Sequence, residues 1–251
     1  MKELENKIAI VTGGARDIGR QVSLKLAAAG AKVAINYYDN HADAEETQKM
    51  IAAAGGSSIL VQGDMTKFAD AQRLVSEATK AFGGNIDILV NVAGGLMGRH
   101  TIVEMEESFW DAVMNVNPKS VFFVTKAVIP FLNDNGSIVN FSTQAVHDGG
   151  GPGAIAYASA KGAVLTFTRG LAKELAPKRV RVNAVSPGMI NTTFHNTFTK
   201  PEVRQRVASM TPLGREGEAP EVAELVLFLA GPRSSFITGE TVQINGGVFF
   251  A

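Results

Sequence analysis

Residues 7–30 constrain the fold more than any other stretch of this chain. Lys7-Ile-Ala-Ile-Val-Thr12 is a short apolar run rich in β-branched residues, the pattern of a strand buried on both faces of a parallel sheet. It leads straight into Gly13-Gly-Ala-Arg-Asp-Ile-Gly19, and then into an amphipathic helical pattern, Gln21 to Ala29, closed by Gly30. A strand, a glycine-rich turn and a helix start together make an anion site. The glycines let the backbone approach a pyrophosphate, and the free N–H groups and dipole of the helix N-terminus face it. A tight strand-to-helix turn also calls for glycine on conformational grounds, so the turn taken alone leaves both readings open.

The same strand-then-helix rhythm continues to the end. Apolar runs at 7–12, 32–36, 58–62, 86–91, 136–142, 179–185 and 241–244 read as strands. Helical patterns fill 18–29, 42–54, 67–82, 108–132, 154–176 and 219–230. Alternation of this kind predicts an α/β fold, a single doubly wound parallel sheet of seven strands with helices on both faces and right-handed crossovers. With no repeat, low-complexity tract or linker, residues 1–251 are expected to form one domain. Residues 190–215 break the rhythm, with a short helix expected around 201–209. Long excursions in compact domains are usually functional.

Tyr157-Ala-Ser-Ala-Lys161 places a phenol and an ammonium four residues apart within the helical stretch 154–176, hence on one helix face. A free phenol titrates near ~10, and a neighbouring cation favours the phenolate and lowers that value. Tyr and Lys at this spacing also occur as a packed ring beside a solvated amine, so the pair gains meaning only from its surroundings.

In combination these segments resemble the short-chain dehydrogenase/reductase family, whose members have a Rossmann-type sheet, and the resemblance runs along nearly the whole chain. The family's Thr-Gly-x-x-x-Gly-x-Gly turn falls on Thr12 to Gly19, and its Asn-Asn-Ala-Gly strand end on Asn91-Val-Ala93-Gly94. Its catalytic Asn maps to Asn117, its catalytic strand end to Asn140-Phe-Ser-Thr143, and its Tyr/Lys pair to Tyr157 and Lys161. The Asn-x-x-x-Pro-Gly segment falls on Asn183 to Gly188, and Ile244-Asn-Gly-Gly247 completes the set. The resemblance implies hydride transfer between a nicotinamide and a carbonyl or secondary alcohol of a small substrate. Tyr157 would be the proton donor and Thr143 the polarising hydroxyl. Lys161 would hold the nicotinamide ribose and depress the Tyr157 pKa, and Asn117 would hold a water linking Lys161 to solvent. It assigns cofactor contacts to Gly13, Arg16, Asp17, Ile18, Gly19, Tyr37, Asp64, Met65, Asn91, Ala93, Gly94, Pro187, Gly188, Ile190 and Thr192, besides Tyr157 and Lys161. Asp64 would contact the adenine amino group and Thr192 the carboxamide. It also makes 190–215 a substrate lid, with Phe194, His195 and Phe198 as pocket walls, joined by His147 after the catalytic strand end.

Three departures bear on these assignments. Asp17 stands where the family has its middle glycine. Asp is a favoured N-cap that tolerates unusual backbone angles, so it is read as capping the next helix, with Arg16 offsetting its charge. Val92 replaces the second Asn of the strand-end motif. Thr143 replaces the catalytic Ser, with Ser142 beside it as the alternative. Successive strand residues face opposite ways, so only one of the two hydroxyls can meet a substrate, and Thr143 is preferred. The family's NAD enzymes carry an acid at the end of the second strand. Here Tyr37 and Tyr38 follow the strand, and Asp39 comes late. With Arg16 in the turn, NADP(H) is expected over NAD(H).

Lys plus Arg and Asp plus Glu number 24 each, an even balance that argues against nucleic acid or an anionic membrane as partner. The chain has no cysteine, which excludes disulfides and fits a reducing compartment. With no signal-like apolar segment at the start, a cytoplasmic location is expected. Four scattered histidines lack ligand spacing, so no metal is expected. Val121, Phe122, Val124, Val128, Val164, Phe167 and Leu171 exceed what one helix face against a sheet absorbs, and the chain ends in Gly-Val-Phe-Phe-Ala. Two such surfaces predict a homotetramer. Two other classes fit the sequence less well. A non-catalytic nucleotide sensor would not need Asn117, Tyr157 and Lys161, and a sugar-nucleotide epimerase would carry a larger C-terminal part. Within the oxidoreductases, a 3-oxoacyl-acyl-carrier-protein reductase is the alternative. The neutral-to-acidic run 131–136, where such reductases tend to be basic, favours small free substrates instead.

Overall fold

A computed structural model describes residues 2–250. Seven parallel strands form the main sheet in the order β3-β2-β1-β4-β5-β6-β9. They are β1 (Ile8–Thr12), β2 (Lys32–Tyr37), β3 (Ser57–Gln62), β4 (Ile86–Asn91), β5 (Leu132–Phe141), β6 (Arg181–Pro187) and β9 (Thr241–Ile244). Two-residue strands β7 (Ile190–Asn191) and β8 (Gly217–Glu218) pair with each other outside it. The sheet and its parallel pairing are as the alternating sequence requires.

Strand alternation divides the core. Ala9, Val11, Val33, Ile35, Val90, Val139 and Val185 point to one face. There they meet Val22 and Leu26 of α1 (Asp17–Ala28) and Val226 and Leu229 of α10 (Ala219–Ala230). Ile8, Ile10, Ala34, Leu89, Ile138 and Val182 point to the other face, against α3 (Phe68–Phe82), α5 (Ser120–Val128) and α7 (Ile155–Glu174). Helix α2 (His41–Ala53) packs at the β2–β3 end of the first face. Both faces are covered, which is why the strands carry near-continuous apolar runs. No helix among the described residues is long and apolar enough to cross a membrane.

The helix expected over 108–132 is in fact broken. It consists of α4 (Glu107–Met114), a π-helical turn at Asn115–Lys119, α5, and a 3-10 turn at Ile129–Phe131. Pro118 lies within the π turn. Proline has no N–H and its ring crowds the preceding turn, so the backbone widens there. The Ser120 hydroxyl donates to the Val116 carbonyl at 2.7 Å and the Asn117 carbonyl at 2.9 Å, occupying acceptors in the loosened turn. Pro130 then falls in the 3-10 turn and strand β5 starts at Leu132, earlier than expected.

The surplus apolar surface is also smaller than the sequence suggested. Val121, Val124, Val128, Val164 and Leu171 are buried within the subunit; Val124, Val128 and Leu171 pack in the core against the sheet, and Val121 and Val164 lie at the floor of the groove between α5 and α7. Phe122 stays 44% exposed, beside Pro118, Ala163 and Phe167 in a shallow groove between α5 and α7.

Candidate active site

Strand order reverses between β2-β1 and β4-β5, so the crevice beyond the carboxyl ends of β1 and β4 is the natural ligand position in a sheet of this kind. The glycine-rich turn leaves β1 into it. A β-carbon on Gly19 would lie 1.9 Å from the Gly13 carbonyl oxygen, so only glycine lets α1 start this close to the strand. Helix α1 begins at Asp17, and no side-chain cap is bonded at its N-terminus, which leaves the first-turn amides free. Across the crevice the Thr12 hydroxyl accepts from Ala93 N–H at 3.2 Å, joining the two strand ends. The Asn36 amide, which sequence reasoning missed, joins β2 to β3 by donating to the Val61 and Gly63 carbonyls. Its only sequence signal is a polar residue at the end of an apolar strand.

Asp17 is not the cap it was read as. Its backbone is left-handed, with φ 51°, as its tolerance of that region allows. Its carboxylate turns away from α1 and accepts from the N–H (3.0 Å) and the hydroxyl of Thr193. Arg16 stands 3.9 Å from Asp17 with its side chain 61% exposed.

Several residues expected at a cofactor have side chains engaged elsewhere. The Tyr37 hydroxyl is bonded to His41 Nδ1 at 2.6 Å and its ring is buried. The Asn91 amide donates to Asn140 Oδ1 at 2.9 Å inside the sheet. Asp64 Oδ1 accepts from the N–H and hydroxyl of Thr66, a local turn, because those donors are two residues away. Met65 and Ile190 are buried, and Ile18 packs partly against the core. These positions offer a ligand backbone atoms or a wall, except Asp64, whose second carboxylate oxygen makes no hydrogen bond among the described residues and has only Lys67 Nζ nearby, at 3.8 Å. Gly188 N–H donates to the Ile244 carbonyl, the Pro187 carbonyl accepts from Gln144 N–H, and the Thr192 hydroxyl donates to the Ile190 carbonyl at 3.1 Å.

The reactive groups converge at the end of β5. Just past the end of β5, Ser142 and Thr143 face opposite ways, continuing the alternation of the strand. Ser142 is buried and its hydroxyl donates to the Lys161 carbonyl at 3.3 Å. The Thr143 hydroxyl accepts from Ala145 N–H at 3.3 Å and lies close enough to the Tyr157 phenol to favour its ionised form. Tyr157 packs against the small cluster of Val113, Ala156 and Ala160, together with Phe109 and Trp110. Lys161 is buried, with Nζ donating to the Phe141 carbonyl at 2.8 Å. Asn117, in the π turn, exchanges two bonds with Gly95, accepting from its N–H at 3.1 Å and donating to its carbonyl at 2.9 Å. A β-carbon on Gly94 would sit 2.7 Å from Asn117 Oδ1 and 2.9 Å from Lys161 Nζ, so Gly94 is what lets these two polar groups flank the β4 exit.

The electrostatics differ from the sequence expectation. Burial pushes the Tyr157 phenol up to about 12, partly opposed by the Thr143 hydroxyl bond. The Lys161 amine is aimed at the Phe141 carbonyl and stands 6.0 Å from the Tyr157 ring centre. Burial holds the Lys161 amine itself down to about 8.

The excursion 190–215 contains α8 (Thr193–Phe198) and α9 (Pro201–Met210). Phe194 of α8 lies 6.1 Å from Tyr157, ring centre to ring centre, and touches Phe198 and His195 in turn. Burial holds His195 down to about 4, with Glu216 acting against it and Arg204 and Arg99 with it. His147 joins a different wall. Its ring stacks on Phe249 at 4.5 Å and its Nε2 meets Gln243 at 3.0 Å, because α6 (Ala145–Asp148) turns it toward β9. Arg99 and Arg204, also missed, hold the excursion down. Arg99 donates to the Phe198 carbonyl, and Arg204 to Glu216, Asn191 and Asn196. Among the described residues no cluster of three or more His, Cys, Asp or Glu side chains could hold a metal ion.

A glycine cradle, uncapped helix amides and a buried lysine fit a dinucleotide. The family model described as enoyl-(acyl carrier protein) reductase matches residues 13–249. The 3-oxoacyl-[acyl-carrier-protein] reductase of Staphylococcus epidermidis is 35% identical over 246 residues, covering 97% of this chain and 99% of that protein. A short-chain dehydrogenase/reductase from Serratia marcescens superposes with TM-score 0.93 at 33% identity, over 98% of this chain and 99% of the other. Two further solved relatives differ in cofactor. A blue fluorescent protein from a metagenomic library, in complex with NADPH, has TM-score 0.93 at 30% identity, covering 99% and 100% of the two chains. An NADH-dependent reductase of alginate metabolism has TM-score 0.90 at 32% identity, covering 100% of both.

Proposed function

The chain belongs to the short-chain dehydrogenase/reductase family and is an NAD(P)(H)-dependent oxidoreductase, and from that premise we propose how its own residues divide the work. The substrate is a small molecule bearing a carbonyl or a secondary alcohol. The bound nicotinamide supplies or accepts the hydride. In reduction, negative charge grows on the carbonyl oxygen, and groups poised at that oxygen accelerate the step. Tyr157 delivers its proton there. The Ala145 amide occupies an acceptor site on the Thr143 hydroxyl and leaves the Thr143 proton free to point at the same oxygen. Lys161 holds the ribose side of the cofactor with a buried cation, and Asn117 lines the proton path behind it. The observation that carries this reading is that the Ser142 hydroxyl turns to the Lys161 carbonyl while Thr143 lies on the side of the Tyr157 phenol and favours its ionised form.

Residues 190–215 act as the lid, and Phe194 over Tyr157 excludes water from the reacting oxygen. The preferred cofactor is NADP(H). No acid closes β2, and Arg16 remains mostly exposed because the Asp17 oxygens take Thr193 donors instead. The groove between α5 and α7 pairs with a second copy about a two-fold axis, and Phe250, 83% exposed, marks another contact, giving a homotetramer.

The test is turnover of a panel of small ketones and alcohols with each cofactor. Arg16→Ala is expected to lower kcat/KM for NADPH by about tenfold while sparing NADH, as loss of one charge-assisted phosphate contact should. A clear NADH preference in the parent would reassign the ribose contact to Asp39. The similarity to the Staphylococcus reductase supports a second reading. A 3-oxoacyl group turned over only when linked to a carrier protein, and not as a small free ester, would favour it.

A further inference from the structure

Asp17 and Thr193 are 176 residues apart in sequence, yet two hydrogen bonds join them. Both Asp17 oxygens are used, one on the Thr193 amide and one on its hydroxyl. Thr193 is the first residue of α8, and the next residue, Phe194, is the one whose ring meets Tyr157. The backbone at position 17 has φ 51°, a conformation that glycine adopts most easily. Glycine there would form neither bond, so the conformation alone does not account for a carboxylate. Arg16 approaches Asp17 Oδ2 only to 3.9 Å from an exposed side chain and makes no hydrogen bond to it. Other anchors hold the lid from elsewhere: Arg204 at Asn191, Asn196 and Glu216, and Arg99 at the Phe198 carbonyl. Among the described residues, Asp17 is the side chain that holds α8 from the glycine-rich turn.

We propose that Asp17 is a positioning residue, a latch by which the glycine-rich turn holds α8, and with it Phe194, over Tyr157. This rests on the assignment of Tyr157 and of the lid given above. The latch also explains how an acid stands at an anion site. The Thr193 donors draw the carboxylate away from the free amides of α1, which remain directed at the dinucleotide. The remaining negative charge still disfavours the pyrophosphate. The position of α8 and the dinucleotide affinity therefore both depend on this one side chain, the first through its hydrogen bonds and the second through its charge.

Three variants separate the latch from its charge. Asp17→Gly suits the backbone and removes both bonds and the charge. Asp17→Asn keeps an acceptor for the Thr193 amide and removes the charge. Thr193→Val keeps the charge and removes the hydroxyl bond. Hydrogen exchange is measured on the protein without added cofactor, at the Asn196 and Thr199 amides that close α8. NADPH and NADH titrations, kcat and melting temperature accompany it. In Asp17→Gly, exchange at those amides is expected to rise about tenfold, the equivalent of ~1.4 kcal/mol. Its kcat should fall roughly three- to tenfold as Phe194 loses its place, with tighter dinucleotide binding and an unchanged melting temperature. Asp17→Asn should bind the dinucleotide as tightly but exchange nearly like the parent. Thr193→Val should exchange at an intermediate rate with the parent's affinity. Unchanged exchange in both Asp17→Gly and Thr193→Val overturns the latch. Faster exchange with kcat untouched overturns the positioning role. Because exchange is read on the protein alone, an error in the role given to Tyr157 would leave that result standing.

Discussion

Replacing Thr143 by valine tests the reading of the strand end most sharply. Valine keeps the β-branched shape and close to the same volume, so packing around the position changes little. Only the hydroxyl goes. In the structure that hydroxyl accepts from the Ala145 amide at 3.3 Å and lies beside the Tyr157 phenol. Losing the first contact leaves one amide unpaired at a half-buried site, at most ~1 kcal/mol, a fall in melting temperature of about 2–4 °C for a chain of this size. Losing the second removes a pre-oriented donor to a developing oxyanion, which typically lowers kcat by about 10²–10³, or ~2.7–4 kcal/mol. Activity should therefore fall far more than stability. Steady-state rates, read by the absorbance of the reduced nicotinamide and compared with thermal melts, resolve the two effects. Ser142→Ala is the matched control. It removes a buried hydroxyl bonded to the Lys161 carbonyl, so it should cost about 1 kcal/mol of stability and alter kcat by no more than about threefold. If Ser142→Ala were the more damaging to kcat, the reasoning would be refuted and the reactive face of the strand would be the other one.

Tyr157→Phe should retain the fold, since the ring still packs against Val113, Ala156 and Ala160, while kcat drops by roughly two to four orders of magnitude; full activity would remove Tyr157 from the chemistry. The His195 imidazole is held down to about 4 by burial, below an unfolded value near ~6.5. Between these values the unfolded chain binds a proton that the folded chain does not, so stability is complete above pH ~6.5 and declines as pH falls toward 4. Chemical denaturation at pH 7 and pH 5 should show a loss on the order of 1–2 kcal/mol that His195→Gln largely abolishes; an equal loss in both proteins would assign it to other groups. Light scattering at micromolar concentration should give four times the 26.5 kDa subunit mass, and a monomeric mass would rule the tetramer out.

Some of this was legible in the sequence and some was not, for identifiable reasons. Apolar runs such as Lys7–Thr12 specify strands because a parallel sheet covered on both faces needs them uninterrupted, and all seven strands could be placed within a few residues. The separation of Thr143 from Ser142 was legible too, from the two-residue period of a strand. The break at Asn115–Lys119 was not, although Pro118 announces it, because the apolar pattern on either side continues. The partner of Asp17 could not be read, because local preference suggests a cap and nothing local points to Thr193. The burial of the Tyr157 phenol was not legible for a related reason. Spacing places Lys161 on the same helix face, but it does not say that the interior desolvates the phenol more strongly than a distant amine can offset.

The π turn has a consequence for which lengths of chain this fold can accept. It holds one residue more than an α-helical turn would, and each residue of an α-helix rotates the chain by about 100°. Deleting one residue between 115 and 119 could heal the turn into regular helix. It would also rotate α5 about its axis, carrying Val124 and Val128 off the sheet. It would break the Asn117 clasp on Gly95 at the same time. The segment therefore has a fixed residue count, and single-residue insertions or deletions should be absent here even where individual side chains vary freely.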